Sequence, residues 1–188
     1  MLDSPQLRYV DLAAADRLLQ VLQQLNVAFA LRTHESPRHA RHLAALWQIP
    51  LHEAGRATLL ASDGAPLLVV VPADRKIGAP RLRTLLGAAD LHVLRGDRGV
   101  GRIGWAGLPP PPGALPAVPA MFGARALVDE LVWRSPQLVI AVDGTRSIAL
   151  SPADYQHAAG AETARFAGTT RLLPHGGMVE DDPYRPQP

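Results

Sequence analysis

Leucines at 18, 22 and 25 fall on one stripe of a 3.6-residue period across residues 11–25, with Asp11 near the start where it suits the helix dipole. This predicts an amphipathic helix that stops at Asn26. The next residues, 27–33, alternate with Val27, Phe29 and Leu31 on one side, which predicts a strand with those three inward. Ser36-Pro37 then reads as an N-cap followed by a first-turn proline, opening a second helix that carries Leu43, Leu46 and Trp47 and ends near Pro50.

Two apolar segments, 57–62 and 66–72, flank Asp63-Gly64, a dipeptide that tolerates positive φ and predicts a tight hairpin. A similar pair, 138–143 and 147–151, brackets Gly144, Thr145 and Arg146 and predicts a second hairpin. Pro80 to Leu86 reads as a short helix closed by Gly87. Ser151, Pro152 and Asp154 supply a cap, a first-turn proline and an acidic N3 residue for a further helix ending at Gly160. Helices interleave with strands that come largely as hairpins, so the expected class is α+β, with a mixed, mostly antiparallel central sheet flanked by helices. The segment 96–120 is rich in glycine and proline, including Pro109 to Pro112, and is expected to be loop. The domain is expected to occupy residues 1–167, and residues 168–188, which show no apolar periodicity, are expected to form a flexible tail.

The chain has 188 residues, 47% of them hydrophobic and 19% charged, which is the composition of one globular domain. No stretch of 18 uninterrupted apolar residues occurs, so no membrane partner is expected, and Met1 to Pro5 lacks the basic and apolar regions of a signal peptide, which points to the cytoplasm. The absence of cysteine excludes disulfides, thiolate nucleophiles and zinc ribbons. Among its basic residues 18 are Arg and one, Lys76, is Lys, so ammonium chemistry has a single side chain to draw on. The net charge of +2 does not by itself indicate nucleic acid, although Arg38/Arg41, Arg81/Arg83 and Arg95/Arg98/Arg102 could contact phosphate.

Other strings carry less. Gly99, Gly101 and Gly104 match the spacing of a dinucleotide-binding loop, but Trp105 to Pro112 leaves no room for the helix whose amides would receive a pyrophosphate. His39 and His42, with His34 and His52 nearby, lack a carboxylate at ligand spacing and are interspersed with Arg38 and Arg41, so no metal and no cofactor are expected. No Gly-x-Ser-x-Gly elbow is present.

From Asp16 to Phe166, and most closely from Arg56 to Asp74, the sequence resembles the YbaK/prolyl-tRNA-synthetase-associated editing domains. Arg56 opening a strand, the Asp63-Gly64 turn, the apolar run Leu67 to Val71 and the string Val71-Pro72-Ala73-Asp74 keep the family's order without a gap. Gly107, Pro110 and Gly113 resemble its Gly-x-x-Pro-x-x-Gly loop, and Ile140 to Thr145 its late strand and turn. The resemblance implies an aminoacyl-tRNA deacylase acting in trans. Arg56, Gly107, Pro110 and Gly113 are then the catalytic positions, and Asp74, Gly144, Thr145 and Arg146 the substrate-binding ones. It implies aminoacyl-tRNA, or an aminoacyl-like ligand, as partner. Glycine amides can approach a carbonyl as an oxyanion hole, so no side-chain nucleophile is required.

The sequence departs from the family at three places: the usual lysine is Arg56, the aromatic before the second motif glycine is Pro112, and an aspartate after the next strand is Gly123. Arginine keeps the charge but does not shuttle a proton. It also resembles the versions of this domain fused to HDOD signalling domains, which implies the alternative of a catalytically silent module with a ligand or a protein partner.

Overall fold

The computed structural model describes residues 5–94, 115–172 and 178–181, with side chains over 15–94 and 115–168. It has four α-helices among the described residues: α1 (Pro5–Gln24), α2 (Ala40–Trp47), α3 (Ala79–Leu86) and α4 (Pro152–Ala159). The strands are β1 (Ala30–Thr33), β2 (Gly55–Ser62), β3 (Ala65–Pro72), β4 (Lys76–Ile77), β5 (Leu91–Val93), β6 (Arg125–Asp129), β7 (Leu138–Ala141), β8 (Arg146–Leu150), β9 (Glu162–Ala164), β10 (Ala167–Leu172) and β11 (Met178–Asp181).

The central sheet runs β5-β2-β3-β6-β9, antiparallel from β5 to β3 and parallel from β3 through β6 to β9. A second sheet, β1-β8-β7, and a third, β11-β10-β4, are antiparallel throughout. This is the α+β class with a mixed, mostly antiparallel arrangement of strands.

Alternation along β2 and β3 divides the core in two, because successive side chains leave a strand on opposite faces. Leu59, Leu68 and Val70, with Ala126 and Val128 of β6, pack with Leu18 and Leu22 of α1, Tyr155 of α4, and Ile140 and Ile148 of the second sheet. Leu60, Leu67, Val69 and Val71 face the other way, onto Leu82 of α3 and Phe166. Tyr155 is fully buried and donates its hydroxyl to the carbonyl of Ala117 at 2.8 Å, which meets the requirement of a polar tip inside a core.

The Asp63-Gly64 turn has φ of 49° and 83°, the two positive values a tight hairpin needs. Ser151 caps α4 by accepting from Asp154 N, and Gly87 and Gly160 end α3 and α4 in the left-handed region. Other elements differ from the sequence reading. The second helix starts at Ala40, not after Ser36: His39 is the N-cap, and its Nδ1 accepts the amide of His42 at 3.0 Å. Leu31 is 47% exposed on an edge strand, and Leu25 is also exposed. Strand pairing continues past residue 167, where β10 pairs with β4 and with β11 as far as Asp181.

Candidate functional site

Arg56 is the second residue of β2 and lies opposite Val71 of β3, so it shares the face of Val71 and Leu60. Two residues earlier, Ala54 packs with Ala73 against Ala40 and Ala44 of α2. Small residues on both sides let the helix lie close to the sheet. Gly55 permits the approach on the opposite face, where a Cβ would stand 2.9 Å from Ile140 Cγ2.

The Arg56 side chain is half-buried, and its Nε is shielded from solvent with no hydrogen-bond partner. Burial holds its pKa below the ordinary arginine value, and the positive charge of Arg41 pushes in the same direction. It remains a cation, because a guanidinium starts several units above neutrality. A buried charge is normally paired with an acid. Here the nearby charge has the same sign.

Asp74 lies just past the end of β3, exposed, with Arg75 Nε 3.8 Å from its Oδ2. Asp74 and Arg56 are therefore at the same end of the β2–β3 hairpin, since Arg56 pairs with Val71.

The turn between β7 and β8 is organised by Asp143. Its Oδ1 accepts from the amides of Thr145 at 2.8 Å and Arg146 at 2.7 Å, and its Oδ2 from Arg146 Nε at 2.5 Å. Arg146 also donates Nη1 to Asp16 of α1 at 2.8 Å, while its Nη2 is buried without a partner. Burial alone would lower the Arg146 pKa, but the hydrogen bonds to Asp143 and Asp16 outweigh it and the value ends raised. Arg146 thus fastens α1 to the turn. The Thr145 carbonyl also accepts the amide N–H of His34 at 2.8 Å.

Gly107, Pro110 and Gly113, with Pro112, lie outside the described residues, as do the glycines at 99, 101 and 104. Gly123 ends the 3-10 turn Pro119–Phe122 with φ of 56°, in the left-handed region.

Two features had no place in the sequence reading. Trp47 Nε1 donates to Ser147 Oγ at 2.6 Å, and Ser147 Oγ is 2.7 Å from His34 Nε2. His34 Nδ1 faces the carbonyl of Glu35 at 2.7 Å, and a carbonyl only accepts, so Nδ1 carries the proton and Nε2 accepts the serine hydroxyl. The chain Trp47 to Ser147 to His34 pins α2 and the start of the domain to β8. Asp129, buried at the end of β6, accepts from the amides of Leu131 at 2.9 Å, Phe166 at 2.8 Å and Ala167 at 2.6 Å. Among the described residues no group of three or more His, Cys, Asp or Glu could hold a metal, and no helix is long and apolar enough to cross a membrane.

Residues 34–158 match the family model of the aminoacyl-tRNA editing domain. Curated proteins give no match. The fold is similar to the crystal structure of a hypothetical protein, APE2540, with a TM-score of 0.63 and 18% identity over 80% of this chain and 99% of that one. It is similar also to a candidate trans-editing enzyme for prolyl tRNA synthetase, with a TM-score of 0.61 and 16% identity over 81% of this chain and 96% of that one. A candidate signal transduction protein from Marinobacter aquaeolei VT8 matches with a TM-score of 0.58 and 21% identity, over 80% of this chain but 30% of its own.

Proposed function

Since the chain belongs to the aminoacyl-tRNA editing domain family, we propose that it receives the aminoacyl end of a mischarged tRNA at the Arg56 end of the central sheet and hydrolyses the ester in trans. The observation that carries this reading is the half-buried, unpaired guanidinium of Arg56, at the position where the family resemblance puts a lysine. A group desolvated without an internal partner is set up for an external one.

The proposed chemistry is ester hydrolysis. Water, its proton taken up through the neighbouring ribose hydroxyl as relay, adds to the carbonyl carbon. The ester C–O bond then breaks, and the products are the free amino acid and tRNA with its terminal hydroxyl restored. In this reading the amides around Gly107 and Gly113, on a loop stiffened by Pro110, stabilise the developing oxyanion. Asp74, on the same end of the hairpin as Arg56, offers a carboxylate for the substrate's α-ammonium. Arg146 holds the turn of Gly144 and Thr145 through Asp143 and Asp16, and the family resemblance is what assigns that turn to the substrate. Arg56 attracts the substrate but cannot take a proton from the attacking water, so turnover is slow. Charged tRNA places this activity in the cytoplasm.

The same guanidinium favours a second reading, in which the domain binds an aminoacyl-like ligand or a protein partner and turns nothing over. A panel of mischarged tRNAs separates the two. The deacylase reading expects release of amino acid from at least one of them above the buffer rate. Saturable binding with no release at high protein concentration supports the silent module and contradicts hydrolysis.

A further inference from the structure

Thr145 is held through both of its peptide groups. Its amide N–H goes to Asp143 Oδ1 at 2.8 Å, a contact made inside the turn, and its carbonyl accepts the amide N–H of His34 at 2.8 Å, one step beyond the pairing of Thr33 with Arg146. The second anchor comes from another part of the chain. His34 grips β8 once more with its ring, whose Nε2 lies 2.7 Å from the hydroxyl of the fully buried Ser147. Trp47 of α2 donates to the same oxygen at 2.6 Å, which directs the serine's own proton to Nε2, and Nδ1–H goes to the Glu35 carbonyl at 2.7 Å. Both ring nitrogens are thus used inside the domain. The pair resembles the serine and histidine of a nucleophilic site, but the hydroxyl is sealed from solvent and the imidazole has no free lone pair.

We infer that Trp47 and Ser147 are positioning residues: they hold His34 as its Nδ1–H tautomer and, through His34, fix the Thr145 side of the β7–β8 turn. The inference rests on the editing reading for what that turn meets, and the hold on His34 is independent of it. Which nitrogen of an imidazole carries the proton is set by the hydrogen bonds the ring makes, so removing the serine hydroxyl frees the ring to turn and to change tautomer. The His34 amide then grips Thr145 less firmly. Because the chain sets where the turn sits and offers no proton acceptor, its loss raises KM and leaves kcat in place.

The test uses the isotope-labelled full chain in a long-range proton–nitrogen correlation spectrum at mildly alkaline pH, which separates a protonated ring nitrogen from one with a lone pair. The His34 signals are identified by their absence in His34→Gln. Native chain, Ser147→Ala, Trp47→Phe and Asp129→Asn are compared, the last a change in the buried network at the end of β6, on the other sheet. The native chain and Asp129→Asn should show Nδ1–H. Ser147→Ala should show Nε2–H or a mixture, with exchange of the His34 amide faster by about tenfold or more. Trp47→Phe, which keeps a ring under the Arg32 guanidinium, should move both readouts in the same direction and by less, and it carries the comparison should Ser147→Ala fail to fold. On a mischarged tRNA, Ser147→Ala should raise KM about fivefold or more with kcat within about twofold, and Asp129→Asn should leave both as they are. A native tautomer and native exchange at His34 in both Ser147→Ala and Trp47→Phe overturn the inference, as does a fall in kcat at constant KM, which would give the chain a part in the chemistry. If charged tRNA is hydrolysed by the native chain and by Ser147→Ala with the same KM, the editing reading stands and the inference falls. If the native chain neither binds nor cleaves charged tRNA while tautomer and exchange shift as expected, the editing reading falls and the hold on the turn stands.

Discussion

Trp47 donates its indole N–H to the hydroxyl of Ser147 over 2.6 Å, although the two residues are a hundred positions apart in sequence. The serine donates its own hydroxyl to His34 Nε2, so three side chains from α2, β8 and the segment after β1 satisfy one another. The consequence is mechanical. The helix that carries Arg41 is fixed to the second sheet at its C-terminal end.

Removing the middle member should therefore cost more than one ordinary hydrogen bond. Ser147→Ala leaves the Trp47 indole N–H without an acceptor, and we expect a loss of about 1–3 kcal/mol in urea unfolding. In the double variant with Trp47→Phe the donor is gone as well, so the two losses should be less than additive. Strict additivity would show that the contact contributes nothing.

Asp129 supports a second prediction. Its carboxylate holds the amides of Leu131, Phe166 and Ala167, which ties the end of β6 to the start of β10. Asp129→Ala strands those donors in a buried place, for an expected loss of about 3–5 kcal/mol, and Asp129→Asn, with one acceptor oxygen left, should fall between. Thermal unfolding of both variants measures the order.

These two networks mark where the sequence stops being legible. The Asp63-Gly64 hairpin and the Ser151 to Gly160 helix were readable because turn and cap chemistry is local, set by residues within four positions. The start of α2 was misplaced because a histidine ring took the capping role that Ser36-Pro37 advertised. β10 and β11 escaped notice because their pairing with each other and with the two-residue β4 rests on backbone hydrogen bonds, not on apolar alternation. Arg56 was found through the family resemblance; its lack of a partner and the charge it feels from Arg41 depend on how α2 packs, which no local pattern encodes.

Gly55 precedes Arg56, and its missing Cβ lets β2 pass close to β7. An alanine there would stand 2.9 Å from Ile140 Cγ2 and 3.1 Å from Leu138 Cδ1. Gly55→Ala should destabilise by about 1–3 kcal/mol as those side chains give way. Because the strain acts on the residue next to Arg56, ligand affinity should fall as well. Unchanged stability would mean that the second sheet moves freely against the first.

Tyr155 gives a pH prediction. Burial raises its pKa well above the usual phenol value of about 10. The folded state then keeps a proton that the unfolded chain gives up, so this contribution is intact below about pH 10 and declines as pH rises beyond it. Tyr155→Phe should remove that alkaline decline while costing about 1 kcal/mol at neutral pH for the bond to Ala117. Unfolding curves at pH 7 and above pH 10 test both halves.

The central claim is that Arg56 holds the substrate but limits the chemistry, and Arg56→Lys tests it most directly. Burial and the charge of Arg41 lower the pKa of the cation here, and a lysine, which loses its proton more readily than arginine, can serve as a proton acceptor where arginine does not. Amino-acid release from a mischarged tRNA should rise by about tenfold or more in Arg56→Lys and vanish, together with binding, in Arg56→Ala. Rates and affinities that are the same in the native chain and both variants, with the fold intact by circular dichroism, would contradict the account and place the site elsewhere.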